Sequence, residues 1–270
     1  MAKMDAAALE RLRILDRLGA VIGEAVQELY SAVAAHPDSG FHFPTGREAA
    51  LQVGYSVEDL EAVPEEVLAR FAGVGCPLAV AALVPGDHVL DLGCGAGTDL
   101  FVAARRVGPD GRVVGLDMTT GMVEWARAAV ERHRIGNVTV VPARMPKFPP
   151  DLGPFDIVVS NGALNLVPEK EMALKRVHAL LRPGGRLALA DIALQRPPSA
   201  ACLADANLWA ECLVGAFTEE AYLDTLETVG FSDVRVHARH DYFASSPSVA
   251  TRETARDLGG FAWVVSARRS

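Results

Sequence analysis

The sequence predicts an α/β fold: a doubly wound, seven-stranded sheet, mostly parallel with an antiparallel strand at the end, preceded by a helical N-terminal extension. Three observations carry this. Short apolar runs alternate with helix-period segments from residue 88 to residue 191. The connections are brief and carry turn signals such as Pro109-Asp110-Gly111 and Pro183-Gly184-Gly185. Ahead of them, residues 1–72 show only helical patterning.

Leu9, Leu12, Leu15, Leu18, Ile22, Val26, Leu29 and Val33 recur at three- and four-residue steps, which predicts an amphipathic helix. AAHPDSGFHFPTGREA breaks that pattern with Pro37, Gly40, Pro44 and Gly46, and SVEDLEAVPEEVLARF adds a short helical segment. The apolar runs at 88–91, 112–117, 138–142, 155–160 and 186–191 have the length of strands buried on both faces. Helix-like segments at 98–106, 119–134 and 168–181 lie between them. After residue 195, RPPSA opens a polar break and a helical stretch runs to Trp209. Thr218 is placed to cap a helix whose first turn carries Glu219 and Glu220, with Gly230 at its end. VRVHARHDYF and FAWVVSARR read as two closing strands.

The net charge of −8 argues against non-specific binding to nucleic acid or anionic membrane. The N-terminus MAKMDAAALERLRILDRLGA lacks a signal peptide's continuous apolar core, and no stretch approaches a membrane span. A cytoplasmic protein is expected, with no nucleic-acid or membrane partner. Its four cysteines, Cys76, Cys94, Cys202 and Cys212, form no CxxC pair, so neither a structural zinc site nor a disulfide framework is expected. His237 and His240 fall on opposite faces of one strand and do not make a metal pair.

HVLDLGCGAGTDL, residues 88–100, crowds Gly93, Gly95 and Gly97 where a buried strand stops. Asp91 ends that strand, and Asp117 ends the next, where an acid can accept two hydrogen bonds from a ribose diol. The order strand, glycines, helix, strand, acid suits an adenosine cofactor. Dinucleotide enzymes use G-x-G-x-x-G to bring a pyrophosphate onto a helix N-terminus, whereas here the third glycine comes one residue early. That spacing disfavours a nicotinamide dehydrogenase.

The combination resembles the class I S-adenosylmethionine-dependent methyltransferases, which have a Rossmann-like fold. VVGLDMTTGMVEWARAA matches their acidic second motif, and FDIVVSNGALNLVPEKEMALKRVHALLRPGGRLALADI resembles their motifs four to six. The resemblance implies S-adenosyl-L-methionine as cofactor and methyl transfer to a small-molecule acceptor. It implies that Asp91, Gly93, Cys94, Gly95 and Gly97 line the methionine part and that Asp117 accepts the ribose hydroxyls. Met118 would pack on adenine, and Ser160 and Asn161 would end the fourth strand beneath the sulfonium. Arg144 stands where that family usually has an acid for the adenine amino group, which leaves the backbone of Ala143, Arg144 and Met145 to hold the base. The implied division is a helical extension or lid, 1–72, and a methyltransferase domain, 73–270, with its cofactor core at 73–195 and an acceptor-side and closing part at 196–270. A homodimer and a non-catalytic cofactor-binding sensor or assembly subunit remain open. A nucleic-acid methyltransferase is weakened by the acidity and by the absence of an N-P-P-[YF]-type motif at SNGA.

Finer matches in GLDMTTGMVEWA, VVSNGALNLVPEKEMAL, LRPGGRLALADI and LWAECLVGAFTEEAYLDTLETVGFSDV resemble the arsenite methyltransferases. In that family cysteine thiolates bind trivalent arsenic, and Cys212 in WAECLVGA occupies one such place. A second thiolate normally follows in SNC, where this chain has Ser160-Asn161-Gly162. A third precedes the first motif, and Cys76 lies near that place but displaced along the chain. Soft metalloid ligation needs several converging thiolates, so a different acceptor is expected and arsenite is the alternative. His42, Cys76, Asn165, Trp209 and Cys212 are the candidates for the acceptor side. No residue is singled out as a catalytic base.

Overall fold

The computed structural model describes residues 6–149, 151–199, 202, 209 and 213–270, with side chains from residue 19 onward. Its sheet contains β1 (His88–Leu92), β2 (Arg112–Asp117), β3 (Val138–Pro142), β4 (Phe155–Asn161), β5 (Leu181–Ala193), β6 (Phe231–His240) and β7 (Phe261–Arg269). They lie in the order β3-β2-β1-β4-β5-β7-β6. The first five pair in parallel, and β7 runs antiparallel to both of its neighbours. This is the doubly wound sheet the sequence predicts.

Side chains alternate across it as a pleated strand requires. Val89, Val113, Ile157, Val159 and Ala188 enter one core, and Leu90, Leu92, Val114, Val158 and Leu187 enter the core on the other face. Because both faces are covered there, the central strands β1, β2 and β4 are mostly apolar runs, which is why they were legible, whereas the edge strand β6 is largely exposed. The strand expected at 186–191 is longer: β5 starts at Leu181 and takes in Pro183-Gly184-Gly185 as an irregularity. Phe155 faces Leu181 whereas Ile157 faces Arg186.

The N-terminal part forms α1 (Ala6–Ala35), α2 (Gly46–Gln52), α3 (Val57–Glu61) and α4 (Glu65–Leu68). Pro64 splits the expected second segment into α3 and α4. Leu60, Leu68 and Phe71 share one core cluster with Val89 and Val113, so this part is packed onto the sheet. Next come α5 (Thr98–Val107), α6 (Thr120–Arg132) and α7 (Lys170–Leu180), close to their expected bounds. α8 (Glu219–Val229) begins with the Thr218 hydroxyl accepting from the Ala221 N–H and ends at a left-handed Gly230, as its sequence dictates. α9 (Val249–Leu258) was not expected. Its signals are Ser248, whose hydroxyl accepts from the Thr251 N–H, and a left-handed Gly259. Among the described residues, no helix is long and apolar enough to cross a membrane. Most of the helical stretch expected before Trp209 lies outside the described residues, as does Cys212.

Candidate active site

The carboxyl ends of β1, β2 and β4 meet α1 around a cavity with about 1050 Å³ of space free of protein atoms, part of it open to solvent. It lies beyond the carboxyl ends of the parallel strands, where open α/β sheets take their ligands. Gly23, Val26 and Tyr30 of α1 form one wall, and Arg70, Phe71, Ala72 and Gly73 another. The remainder comes from Gly93 to Ala96, Thr98, Asp99, Leu116 to Thr119, Met122, Ala143 to Met145, Asn161 to Ala163 and Leu166 to Pro168.

The glycine loop is stapled to β2. Gly93 and Cys94 donate their N–H groups to the Leu116 carbonyl at 2.7 and 3.0 Å. Asp117 completes the clamp: one carboxylate oxygen accepts from the Gly95 N–H at 2.9 Å and the other from the Thr119 N–H at 2.8 Å. Gly93 and Gly95 both have positive φ, +73° and +53°, but for different uses. A Cβ on Gly93 would stand 2.3 Å from the Ala163 Cβ, so this glycine lets β4's exit approach the loop. A Cβ on Gly95 would meet no protein atom within 4 Å, and Gly95 lines the cavity. Its empty side is therefore room for a ligand.

The wall is rich in buried acid. Burial pushes the Asp91 carboxyl well above its ordinary range, and the charges of Asp99 and Asp117 add to the effect. Asp91 is 2% exposed and lies behind the loop rather than on the cavity surface, and its Oδ2 has no hydrogen-bond partner. Burial also raises Asp117, opposed by the N–H groups of Thr119 and Gly95. Asp99 is raised to about 6 by burial, against hydrogen bonds from Tyr55 and Asn161 that hold it down.

Asn161 is a structural hub as well as a wall. Its Oδ1 accepts from the Val74 N–H at 2.8 Å, and its Nδ2 donates to the Gly75 carbonyl at 2.8 Å and the Tyr55 hydroxyl at 3.0 Å. Tyr55 and Asp99 were missed by sequence reasoning. Asp99 reads as an ordinary first-turn helix acid, and Tyr55 reaches the site from 44 residues away.

Cys94, Met118, Ala143 and Met145 line the cavity, while Gly97 caps α5. Ser160 is buried with its hydroxyl on the Leu92 carbonyl at 2.9 Å, tying β4 to β1 instead of facing the cavity. Arg144 lines the cavity but is spent on α1: it donates to the Gly19 carbonyl, and a Cβ on Gly23 would lie 2.6 Å from its guanidinium.

The acceptor-side candidates scatter. Trp209 packs with Ile22, Val26 and Val214 beside the wall. Asn165 is fully buried, donating to the Ile192 carbonyl at 2.7 Å. His42 stands edge-on to Phe43 outside the cavity lining, and burial lowers it to about 4. Cys76 is 4% exposed, also outside the lining, with its thiol pushed up to about 12 by burial. The structure thus groups the loop, Asp117, Met118, residues 143–145 and Asn161, and does not bring His42, Cys76 or Asn165 to them.

A family model for the methyltransferase domain matches residues 83–230. The chain belongs to that family. The chain is 34% identical over 212 residues to an arsenite methyltransferase of Halobacterium salinarum, a match covering 78% of this chain and 53% of the relative. The chain spans about half the length of the curated arsenite methyltransferases it matches. Among solved structures it resembles an arsenic (III) S-adenosylmethionine methyltransferase from Chlamydomonas reinhardtii, with TM-score 0.62 and 28% identity over 82% of this chain and 72% of that one. A geranyl diphosphate C-methyltransferase from Streptomyces coelicolor A3(2), at 20% identity, TM-score 0.63 and coverage of 92% and 98%, shares the Rossmann-like fold.

Proposed function

We propose that the protein transfers a methyl group from S-adenosyl-L-methionine to a small-molecule acceptor. The observation that carries this is the clamp of Asp117 on the glycine loop, beside a cavity where Gly95 has open space instead of a Cβ neighbour. The residues suit the cofactor. The Asp117 carboxylate, held by the Gly95 and Thr119 N–H groups, stands on the cavity lining, where a ribose diol would reach it. Met118 and Met122 offer polarizable apolar surface to a purine, and the backbone at Ala143 to Met145 runs beside it, fixed by the Ala143 N–H on the Asp117 carbonyl at 2.8 Å. Gly93, Cys94, Gly95 and Asn161 would face the amino-acid end. Asp91, Ser160 and Gly97 would support it from behind.

Bound S-adenosylmethionine supplies an electrophilic methyl group on a sulfonium, so the protein's work is alignment and exclusion of water. Holding both reactants at attack distance is worth up to about 7–11 kcal/mol. α1 and Trp209 would cover the acceptor side, which would make residues 1–72 a lid on the methyltransferase domain. The reading includes a diffusible acceptor in the cytoplasm, with no nucleic acid or membrane surface, and leaves room for a homodimer. Labelled cofactor incubated with thiols, arsenite, selenite and phenols tests it. Transfer to one of them, lost in Gly95→Val, supports the proposal; cofactor binding without turnover on any acceptor favours the non-catalytic alternative.

A second reading, arsenite methylation, is supported by the names of the relatives. Against it, Cys94 is the single cysteine lining the cavity among the described residues, and burial holds its thiol well above the ordinary range. A buried neutral thiol is a poor metalloid ligand.

A further inference from the structure

We propose that Lys170 is a positioning residue for the methyl acceptor: from behind the cavity wall it holds the turn after β4 that bounds the acceptor space. The inference rests on the methyl-transfer reading above.

The turn Leu164–Leu166 and its neighbours present one face to the cavity, where Ala163, Leu166, Val167 and Pro168 belong to the lining. None of the four is among the residues assigned to the cofactor, so this stretch of wall falls to the second reactant. Leu166 also packs with Ile22, Val26 and Trp209, which joins the turn to the rest of the acceptor side.

Behind the turn lies Lys170, 2% exposed, at the first position of α7. Two effects oppose a lysine there. A buried ammonium loses its hydration, and the start of a helix is the positive end of its dipole. Its bonds go to the turn: Nζ donates to the Asn165 carbonyl at 3.1 Å and to the Val167 carbonyl at 3.0 Å. The rings of Trp209 and Phe217 face the ammonium at 5.3 and 5.1 Å.

Asp191 of β5, 1% exposed, takes the other side of the same residue. Its carboxylate accepts from the Asn165 N–H, from the Ile192 N–H at 3.0 Å and from the Tyr222 hydroxyl at 3.4 Å. Burial raises the Asp191 carboxyl to about 7, and the charge of Lys170 opposes that rise. Asn165 is thus held at its N–H by Asp191, at its carbonyl by Lys170 and at its side chain by the Ile192 carbonyl, 2.7 Å away. Apolar groups in place of a buried ion pair are often neutral or stabilising, so stability alone does not call for these charges. What packing lacks is a directed bond to each end of a turn that touches the reactant. Methyl transfer needs such precision, because a misplacement of about 1 Å can cost roughly a hundredfold in rate.

The test uses the full chain and four measurements. Calorimetry gives S-adenosylmethionine affinity, and thermal unfolding gives the melting temperature. Labelled-methyl transfer to thiols, arsenite, selenite and phenols gives kcat/KM for each acceptor. Amide hydrogen exchange follows Leu166 and Val167, whose N–H groups bond to the Ala163 and Leu164 carbonyls at 3.2 and 3.1 Å. Lys170→Met is expected to lower kcat/KM by about ten- to a hundredfold for the acceptor the wild type methylates, with cofactor affinity unchanged. Exchange should quicken at those two amides and not in β1 or β4. Because Asp191 loses a neighbouring charge, the melting temperature should also fall. Lys170→Met with Asp191→Asn removes both charges and should recover the melting temperature while transfer stays low, a split that a purely structural pair would not show. Transfer recovering together with stability, or a double variant that does not fold, would make the pair a core support and overturn the assignment. Cofactor affinity falling in step with transfer would overturn it as well. If the wild type bound S-adenosylmethionine but methylated none of these acceptors, the transferase reading itself would fall, and this assignment with it.

Discussion

Two neighbouring glycines should respond to substitution in opposite ways. At Gly95 a Cβ meets no protein atom within 4 Å, so the protein resists a side chain only through φ, which is +53°. The left-handed region costs an L residue about 1–2 kcal/mol, and a β-branched one somewhat more. Gly95→Val should therefore lower the melting temperature by only several degrees, at about 2–4 °C per kcal/mol for a domain of this size. Its side chain would occupy the space open to ligand, so S-adenosylmethionine affinity should fall by at least about a hundredfold, or ~2.7 kcal/mol. Gly93→Ala inverts the pattern. Its Cβ would stand 2.3 Å from Ala163, adding about 1–3 kcal/mol of overpacking to the backbone strain. Thermal unfolding paired with calorimetry separates the two. Wild-type cofactor affinity in Gly95→Val, or an undiminished melting temperature in Gly93→Ala, would refute the division of labour between these glycines.

Asp117→Ala removes the acceptor from two loop N–H groups and should cost stability as well as affinity, at about 1–3 kcal/mol per buried group left unpaired. Asp117→Asn keeps one acceptor oxygen and should recover part of both, as urea titration and calorimetry would record. His42, lowered to about 4 by burial, is neutral when folded and binds a proton below about 6.5 when unfolded. Its contribution is therefore intact above that pH and is lost as pH falls toward 4. Urea unfolding at pH 5 should find His42→Gln less acid-sensitive than wild type, by about 1 kcal/mol after allowing for solvent at this partly exposed ring. Gly162→Cys tests the arsenite alternative. Its Cβ would touch Val74 at 3.5 Å, and φ of +72° adds strain of about 1–2 kcal/mol. Arsenite methylation should be slight in wild type, rise in Gly162→Cys and fall again when Cys212→Ser is added; robust wild-type turnover untouched by Cys212→Ser would sink the cysteine assignment.

The parallel strands were legible because burial on both faces leaves apolar runs such as those containing Val89 and Leu90. The loop and Asp117 were legible because a strand-end acid and clustered glycines are local patterns. What escaped was non-local. Tyr55 joins Asp99 and Asn161 through chain closure that spacing does not record. Arg144 occupied the expected position yet serves α1, donating to the Gly19 carbonyl from a point distant in sequence. His42 and Cys76 were singled out by residue type, and type alone does not tell a packed position from a lining one. α9 was not legible because its capping serine and terminal glycine flank a polar segment whose buried positions are the small residues Thr251 and Ala255.

The most direct test of the central claim is a calorimetric titration of the full chain with S-adenosylmethionine near neutral pH, with NADH as the competing ligand. The account predicts saturable binding of S-adenosylmethionine that NADH does not displace. Binding of NADH in its place, or no binding of S-adenosylmethionine at millimolar concentration, would contradict it.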